Sequence, residues 1–385
     1  MSASRLMRAV RLWTGLALSL LLAAAAMPAR CGEDWFTYYY LDRDTSQVVE
    51  VLNELAEEGA LAPGPQEAPL ASFFAEVFRA HPDQALGWVE SADLRPEDRK
   101  PLVKALWLAG LEGEAVKLAR RDHWPRTDLE KLRKPPPDRF AFHMSDPTHL
   151  DMMWAAFMAT GDARYAVRVA EVLDYPVPEG EAGMAAQLLR SAARVSLAGN
   201  SLRHELVHRA LQDEADRRTG LTREILVGVL LEVQTGAQSF PTRDGEFSAL
   251  MFVTDDADFR RRWAELSVEE MPAVEPVSRV PRGREVEVEL VFTGVGLDPE
   301  LNAEVVWDLA ILRPDGKAYG EFKGLQALKG RRPSRYMVSL AESSVRISFD
   351  PPDPAGVYVF RAVARDRVGD RKVELQAKLE LAGDP

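Results

Sequence analysis

The stretch DPAGVYVF at residues 353–360 is the clearest local signature in the sequence. Asp-Pro and the glycine that follows favour a tight corner, because proline fixes one backbone angle and glycine tolerates conformations closed to other residues. The Tyr-Val-Phe run after them combines aromatic and β-branched residues, which favour a strand. The stretch therefore predicts a strand that is entered through a tight corner.

Alternating sequence on both sides of this corner predicts a β domain. Apolar residues alternate with glutamates over residues 285–292, the pattern of a strand with one face in a core and one in water. Residues 305–311 and 373–381 alternate in the same way, and RPDG at 313–316 has the composition of a turn. At least six short strands in about 100 residues fit a sandwich of two sheets. We expect residues 271–385 to form this domain.

The corner and the strand after it resemble the tyrosine corner of immunoglobulin-like sandwiches, with Tyr358 as the tyrosine. Trp307 stands where those domains have a core tryptophan, and Phe360 stands where an antibody domain has its second cysteine. The chain has a single cysteine, so the resemblance is to the wider sandwich class, and it covers roughly the last quarter of the chain. It implies a fold and no chemistry.

Residues 35–235 carry apolar residues at helical spacing instead of alternation. Helical segments flank Gly110, Gly161 and Gly199, which predicts three helical hairpins, and Asp146-Pro147 has the composition of a helix start. The three glycines are 51 and 38 residues apart. These unequal spacings predict a degenerate helical array, similar to tetratricopeptide or HEAT-like stacks but without their fixed period.

Three further segments have weaker patterns. The aromatic segment 35–40 is expected to lead into the first helix and pack against it, since aromatic side chains dominate core energetics. Residues 124–146 include three consecutive prolines and show no sustained period, which predicts a connector. Residues 236–270 are interpreted as a bridging segment that contains a possible buried strand at 247–253 and a charged helix at 258–266.

The first 29 residues have the order of a secretory signal peptide. Three arginines at residues 5–11 precede the apolar run 12–26, which ends in small residues. Cleavage after Ala26 or Ala29 would suit the small-residue preference. The run is shorter than the ~20 residues of a comfortable membrane span. We therefore expect an exported chain, periplasmic or extracellular, with no stable membrane span after cleavage.

Composition narrows the partners and the chemistry. A net charge of −12 argues against nucleic acid as the main partner, because Lys and Arg dominate such binding. Cys31 is the single cysteine, so no internal disulfide can form, and the residues before it do not resemble a lipobox. The sequence has no glycine-rich phosphate loop, nucleophile elbow or Cys-His pair. No cofactor is expected from these motifs.

The sequence HELVH at residues 204–208 matches the pattern H-E-x-x-H. On a helix, His204 and His208 would share a face and could bind one zinc ion, while Glu205 could activate a metal-bound water as general base. The motif resembles that of zinc metallopeptidases of the zincin class. Glu224 or Glu232, on the following helix, would supply the third ligand in this alternative.

A non-catalytic interpretation of the same motif is preferred. With six histidines in the chain, a five-residue match arises easily by chance, and a motif needs its structural context. Arg209 stands where zincins usually carry an uncharged residue. No alternating strand lies just upstream to hold a peptide substrate. The sequence therefore leaves two hypotheses open, a binding or scaffold protein and, as the alternative, a zinc-dependent metallopeptidase.

The segments WAAFMATGD at 154–162 and SLAGN at 196–200, with His204 after them, resemble a group of uncharacterised exported bacterial proteins. The resemblance spans the helical half and implies no activity. Stacked hairpins are expected to form a concave surface for a protein or peptide partner. Sandwich domains of exported proteins commonly serve adhesion or presentation, an expectation that rests on fold analogy alone.

Overall fold

The computed structural model describes residues 32–237, 242–265 and 276–382. Its first part is helical and its last part consists mainly of strands, so the chain is α then β, as predicted. The chain divides into two compact units. The helical unit comprises the described residues up to Gly199 together with Arg209–Val227, and the β unit comprises Asn200–His208 and Gly228–Pro385. The expected signal peptide lies outside the described residues.

The helices follow one another with short connections. They are α1 (Gly32–Asp42), α2 (Val48–Glu57), α3 (Glu67–Ala80), α4 (Pro82–Ser91), α5 (Lys100–Leu108), α6 (Glu112–Arg121), α7 (Arg126–Leu132), α8 (Pro147–Thr160), α9 (Arg164–Ala170), α10 (Glu181–Arg203), α11 (Glu205–Arg217) and α12 (Gly220–Ala237). Within the described ranges, none of the helices combines the length and the apolar character needed to cross a membrane.

Helix α8 begins and ends as its sequence predicts. The Asp146 carboxylate accepts a hydrogen bond from the Thr148 backbone N–H at 2.8 Å, which satisfies one of the free donors of the first turn. Gly161 ends the helix with φ of +69°, a conformation that favours glycine. A Cβ at this position would also lie 2.9 Å from the Tyr40 ring. Both constraints make Gly161 hard to replace.

The core of the helical unit is rich in aromatic side chains. Phe73, Phe74 and Phe78 of α3 are fully buried, and Trp35 and Phe36 pack against Phe73 at ring distances of 5.6 and 4.8 Å. The aromatic segment thus packs in the core against α3, whereas the sequence predicted packing against the helix that directly follows it. It forms helix α1 itself, however, where the sequence predicted only a lead-in to the first helix.

One prediction about this unit is wrong. No hairpin turns at Gly199, because α10 continues through it to Arg203. A glycine costs a helix only about 1 kcal/mol, and the buried side chains on one face of α10, Leu189 and Leu197 among them, keep their helical spacing up to this point. The expected connector at 124–146 contains one short helix, α7, followed by irregular chain.

The strands form two five-stranded sheets. They are β1 (Thr242–Asp244), β2 (Phe247–Thr254), β3 (Arg279–Val280), β4 (Glu285–Thr293), β5 (Asn302–Leu312), β6 (Ala318–Arg331), β7 (Ser339–Leu340), β8 (Val345–Ser348), β9 (Gly356–Asp366) and β10 (Arg371–Leu381). One sheet has the order β1-β2-β4-β7, with β8 also pairing with β4. The other has the order β3-β10-β9-β5-β6. Among the strand pairs of the described residues, only that of β3 with β10 is parallel.

The two sheets share one hydrophobic core. Trp307 of β5 and Tyr358 and Phe360 of β9 are fully buried in it, together with alternate residues of β4 from the other sheet. The inward residues of β5, β9 and β10 are those that the alternation predicts. Burial of these apolar faces, worth about 25 cal/mol per Å² of apolar surface, accounts for the formation of two facing sheets.

The described residues of the segment 236–270 form two strands and a helix. The segment contributes β1 and β2, and β2 pairs antiparallel with β4 from Ser248–Thr293 to Thr254–Glu287. It also supplies helix α13 (Phe259–Glu265), near the charged helix expected there. Arg260 of α13 binds Glu289 with two hydrogen bonds of 2.8 and 2.7 Å.

Glu289 differs from the expectation that the glutamates of β4 face water. Its side chain is fully buried, because Arg260 and the rest of α13 lie against this face of the strand. Burial raises the pKa of Glu289 to about 7, while the hydrogen bonds from Arg260 act in the opposite direction. Alternation alone does not reveal that a helix covers the outer face.

At the corner of residues 353–360, the tyrosine hydroxyl donates a hydrogen bond to the backbone a few residues upstream. The Tyr358 hydroxyl donates to the Pro354 carbonyl at 3.1 Å. Asp353 is buried, and its carboxylate accepts hydrogen bonds from the Asp350 backbone N–H at 2.8 Å and the Tyr319 hydroxyl at 2.9 Å. These bonds tie the start of β9 to the loop before it and to β6.

The Tyr358→Phe substitution should lower the free energy of unfolding of the β unit by about 1 kcal/mol, since it removes one buried hydrogen bond. Tyr39→Phe is a matched control. The Tyr39 hydroxyl is buried and makes no hydrogen bond to the residues that the structure describes, so its removal should be neutral or slightly stabilising. Denaturant unfolding of both variants checks this, and equal losses in the two would contradict the role of the corner.

Candidate functional site

The H-E-x-x-H motif lies at a break between two helices. Helix α10 ends at Arg203 and α11 begins at Glu205. His204 stands between them, its backbone N–H bonded to the Asn200 carbonyl at 2.9 Å and its carbonyl accepting from the His208 N–H at 3.0 Å. The motif is therefore not contained in one regular helix as the sequence predicted. All three of its functional side chains, His204, Glu205 and His208, are fully buried.

Arg335 holds the carboxylate of Glu205. Its Nε donates to the two carboxylate oxygens at 3.1 and 2.9 Å, and its Nη2 donates to Oε1 at 2.5 Å. The Glu205 backbone N–H, in the first turn of α11 where donors lack an intrahelical acceptor, donates to the Pro333 carbonyl at 2.6 Å. Both ends of Glu205 are thus fixed by the loop between β6 and β7. Its carboxylate is committed to a guanidinium, as in strong bidentate pairs.

A second carboxylate completes the ion pair. Arg335 donates through Nη1 to Glu246 at 3.1 Å. Burial opposes the charge on Arg335, but the hydrogen bonds and the attraction of Glu205 outweigh it and raise the pKa of Arg335 above its usual range. The guanidinium therefore stays protonated at every pH at which the fold persists. The Arg371 guanidinium also lies 3.8 Å from the Glu246 carboxylate, so two guanidinium groups face the two carboxylates.

His208 lies between a hydroxyl on each side. Its Nδ1 is 3.0 Å from the Ser201 hydroxyl, and its Nε2 is 3.5 Å from the Tyr336 hydroxyl. Tyr336 also donates to Glu246 at 3.3 Å. Burial, and then the charge of Glu246, raise the pKa of the Tyr336 hydroxyl above its usual range. We call Ser201, Glu205, His208, Glu246, Arg335 and Tyr336 the buried polar cluster.

The cluster contains residue types found in catalytic sites, but a substrate has no access to its serine and histidine. A serine and a histidine stand at hydrogen-bonding distance, which is how an activated nucleophile is recognised. Ser201 and His208, however, have no exposed surface. A substrate could reach neither group without opening the fold. The arrangement can fix a loop to a helix start, and buried networks of this kind specify a unique packing.

The proposed zinc ligands do not fit a metal site. Both ring nitrogens of His208 face hydroxyl groups, and Glu205 is held by Arg335. Glu224 and Glu232 lie exposed on α12. Among the residues described, no three His, Cys, Asp or Glu side chains are grouped so that they could hold a metal ion. The zinc alternative thus gains no support here and stays a hypothesis.

The helical unit contains a second buried polar group, which no sequence pattern indicated. Glu76 of α3 accepts hydrogen bonds from Arg139 at 2.7 Å and from the Tyr165 hydroxyl at 2.9 Å, and Arg79 also binds it. Arg139 additionally contacts the Ser72 hydroxyl at 3.2 Å. Burial lowers the pKa of Arg139, with Glu76 acting in the opposite direction. The group ties the connector before α8 to α3 and α9.

The residues that contact the motif were also not predicted from the sequence. Arg335 is 130 residues from Glu205 along the chain, and no spacing rule links positions so far apart. Tyr336 lies next to Arg335 in the same loop, and Glu246 comes from the turn between β1 and β2. A single sequence has no signal that would have found these three residues. The motif alone was visible.

Comparison with known proteins gives no closer assignment. No protein-family model matches the chain, and no curated protein matches it. A family 123 glycoside hydrolase from Clostridium perfringens is 8% identical over 35% of this chain and 27% of its own length, with a TM-score of 0.24. The chain thus spans less than a third of that enzyme.

Two other solved structures are similar at the same low level. A Niemann-Pick type C2 protein from Japanese carpenter ant is 13% identical, covers 35% of this chain and 91% of its own, and has a TM-score of 0.21. The Pseudomonas fluorescens alkylpurine DNA glycosylase AlkC, bound to DNA containing an abasic site analog, is 10% identical over 88% of this chain and 82% of its own, with a TM-score of 0.22. These scores carry no argument about function.

His204 should make the stability of the β unit depend on pH. Burial, and then the charge of Arg203, lower the pKa of His204 to about 3. An unfolded histidine titrates near pH 6.5, so the unfolded state binds the proton first. This contribution to stability is complete above pH 6.5 and is lost as the pH falls towards 3.

Between pH 7.5 and pH 5 the loss due to His204 should be about 2 kcal/mol. Denaturant unfolding at both pH values measures it, and His204→Gln should abolish this part of the difference. His81→Gln, a histidine at the start of α4 in the helical unit, should leave it unchanged. The same pH difference in wild type and His204→Gln would contradict the buried neutral state of His204.

Proposed function

We propose that this chain is an exported, non-catalytic binding or scaffold protein. Its helical part would present a surface for a protein or peptide partner, in the manner of tetratricopeptide-like or HEAT-like arrays. Its β part would be an immunoglobulin-like sandwich that presents or supports that surface. Export is supported by the basic, then apolar, then small-residue order of residues 1–29.

The observation that carries the proposal is the state of Glu205. A general base must reach the proton that it abstracts. Glu205 is fully buried and forms a bidentate pair with Arg335. The one motif in the sequence with catalytic character therefore serves packing. Binding by exposed surfaces then remains as the function best supported by the geometry.

Three features support the finer assignment of the β part. The Tyr358 hydroxyl bonds back to Pro354, the two sheets share a core, and Trp307 is fully buried in it, with its indole N–H donating to the Ser343 hydroxyl at 3.2 Å. The bond from the tyrosine to the backbone and the buried tryptophan are features of immunoglobulin-like domains, and the shared core is common to sandwiches in general. The array-like assignment of the helical part is supported by pairs of helices joined by short turns, such as α5 with α6 and α8 with α9.

Metal analysis tests the proposal against its alternative. The full 385-residue sequence is expressed in a bacterial host and the chain is purified without chelator. We expect no stoichiometric zinc and no peptidase activity, because Glu205 is held by Arg335 and His208 lies between the Ser201 and Tyr336 hydroxyls. The mass of the same preparation should show cleavage after Ala26 or Ala29.

His204→Ala and His81→Ala form a matched pair for this experiment. Neither substitution should change the metal content. About one zinc ion per chain, together with peptidase activity that His204→Ala abolishes and His81→Ala keeps, would overturn the proposal in favour of a metallopeptidase.

A further inference from the structure

Helix α10 carries apolar residues on two opposite faces. One face is buried, with side chains spaced four residues apart: Leu189, Ala193 and Leu197. The opposite face carries large apolar side chains that remain exposed: Met184 (60%), Leu188 (45%), Val195 (50%) and Leu202 (37%). Monomeric soluble proteins rarely expose so many large apolar side chains along one helix. This second face therefore has the character of an interface.

The exposed face has the spacing of a coiled-coil seam. Together with Ser191 and Ala198 its residues follow one another at intervals of 4, 3, 4, 3 and 4, the alternation of a and d positions in a heptad repeat. We call these six positions, 184, 188, 191, 195, 198 and 202, the outer seam. A seam of this period packs against another helix of the same period. Small residues, Ala185, Ala192 and Gly199, flank it at intervals of seven.

The outer seam matches itself when two copies run antiparallel. Its intervals read the same from either end, so Met184 of one copy faces Leu202 of the other, Leu188 faces Ala198, and Val195 faces Ser191. The inner layers are the Leu188–Ala198 pairs and the Val195–Ser191 pairs, and each joins a large residue with a small one. Such pairs interdigitate in well-packed cores. A parallel pair would instead set each residue against itself, with leucine on leucine and serine on serine.

The charges of the segment favour the same orientation. In residues 179–203 both acidic residues stand at the start, at 179 and 181, Arg190 and Arg194 stand near the middle, and Arg203 stands at the end. An antiparallel pair brings the acidic start of each segment close to Arg203 of the other copy, while Arg190 and Arg194 of both copies lie near the centre of the pair. It also opposes the two helix dipoles favourably. A parallel pair would bring like charges together.

We propose that the outer seam of α10 is covered by α10 of a second copy of this chain, antiparallel and related by a two-fold axis near residue 193. The same patch then serves both subunits, as in most homodimers. The dimer would give an exported binding protein two copies of its partner surface, which adds avidity without new contacts. It does not depend on what that partner is.

Sedimentation equilibrium of the purified chain tests the pairing. Wild type should have twice the mass of one chain. Leu188→Glu with Val195→Glu should halve this mass, because each substitution puts a carboxylate into an inner layer. Val368→Glu, at an apolar residue with similar exposure (40%) in the turn between β9 and β10, should leave the dimer intact. A monomeric wild type, or a double variant as dimeric as the control, overturns the proposal.

Disulfide cross-linking tests the orientation and does not need a destabilised variant. In a Cys31→Ser background, Met184→Cys with Leu202→Cys should give a covalent dimer on mild oxidation. Residues 184 and 202 of one copy are about 27 Å apart along the helix, far beyond the reach of a disulfide, so the bond must join two copies. Each single cysteine should give no covalent dimer. Cross-linking by the single variants, or none by the double variant, overturns the antiparallel arrangement.

Discussion

The bidentate pair between Arg335 and Glu205 attaches residues 200–208 to the β unit, although this segment is far from the rest of that unit along the chain. Residues 200–208 belong to this unit although about 20 residues of the helical unit follow them before the chain returns. A buried carboxylate without its partner would be strongly destabilising. The loop that carries Arg335 also supplies the Pro333 carbonyl to the start of α11 and the Tyr336 ring to His208, with ring centres 5.1 Å apart.

This constraint also decides how the one chemical motif is interpreted. Glutamate, histidine and serine are all present, and at a solvent-open cleft they would favour catalysis. Here each is turned towards another group of the chain: Glu205 to Arg335, His208 to Ser201 and Tyr336. Such a set of contacts stabilises one packing of loop and helix. Under the proposed function, recognition falls to exposed surfaces of the chain.

The sequence predicted the elements with a regular period and missed what depends on distant partners. Strands β4, β5, β9 and β10 follow from alternation, because one face of each lies in a core. The turn predicted at Gly199 was wrong because packing of the neighbouring residues outweighs the cost of about 1 kcal/mol that a glycine imposes on a helix. The burial of Glu289 was missed because α13 covers it from outside the sheet. The motif at 204–208 was visible, but its meaning lay in Arg335, whose pairing no local pattern encodes.

A double-mutant cycle between Glu205 and Arg335 tests the central claim most directly. Free energies of unfolding are measured for wild type, Glu205→Gln, Arg335→Met and the double variant. We expect Arg335→Met alone to cost about 3–5 kcal/mol, since it leaves a buried charge, and the two changes to be coupled by about 2 kcal/mol or more. Additivity within about 0.5 kcal/mol, with Glu205→Gln harmless to stability, would show that Glu205 is not held by Arg335 and would contradict its structural role.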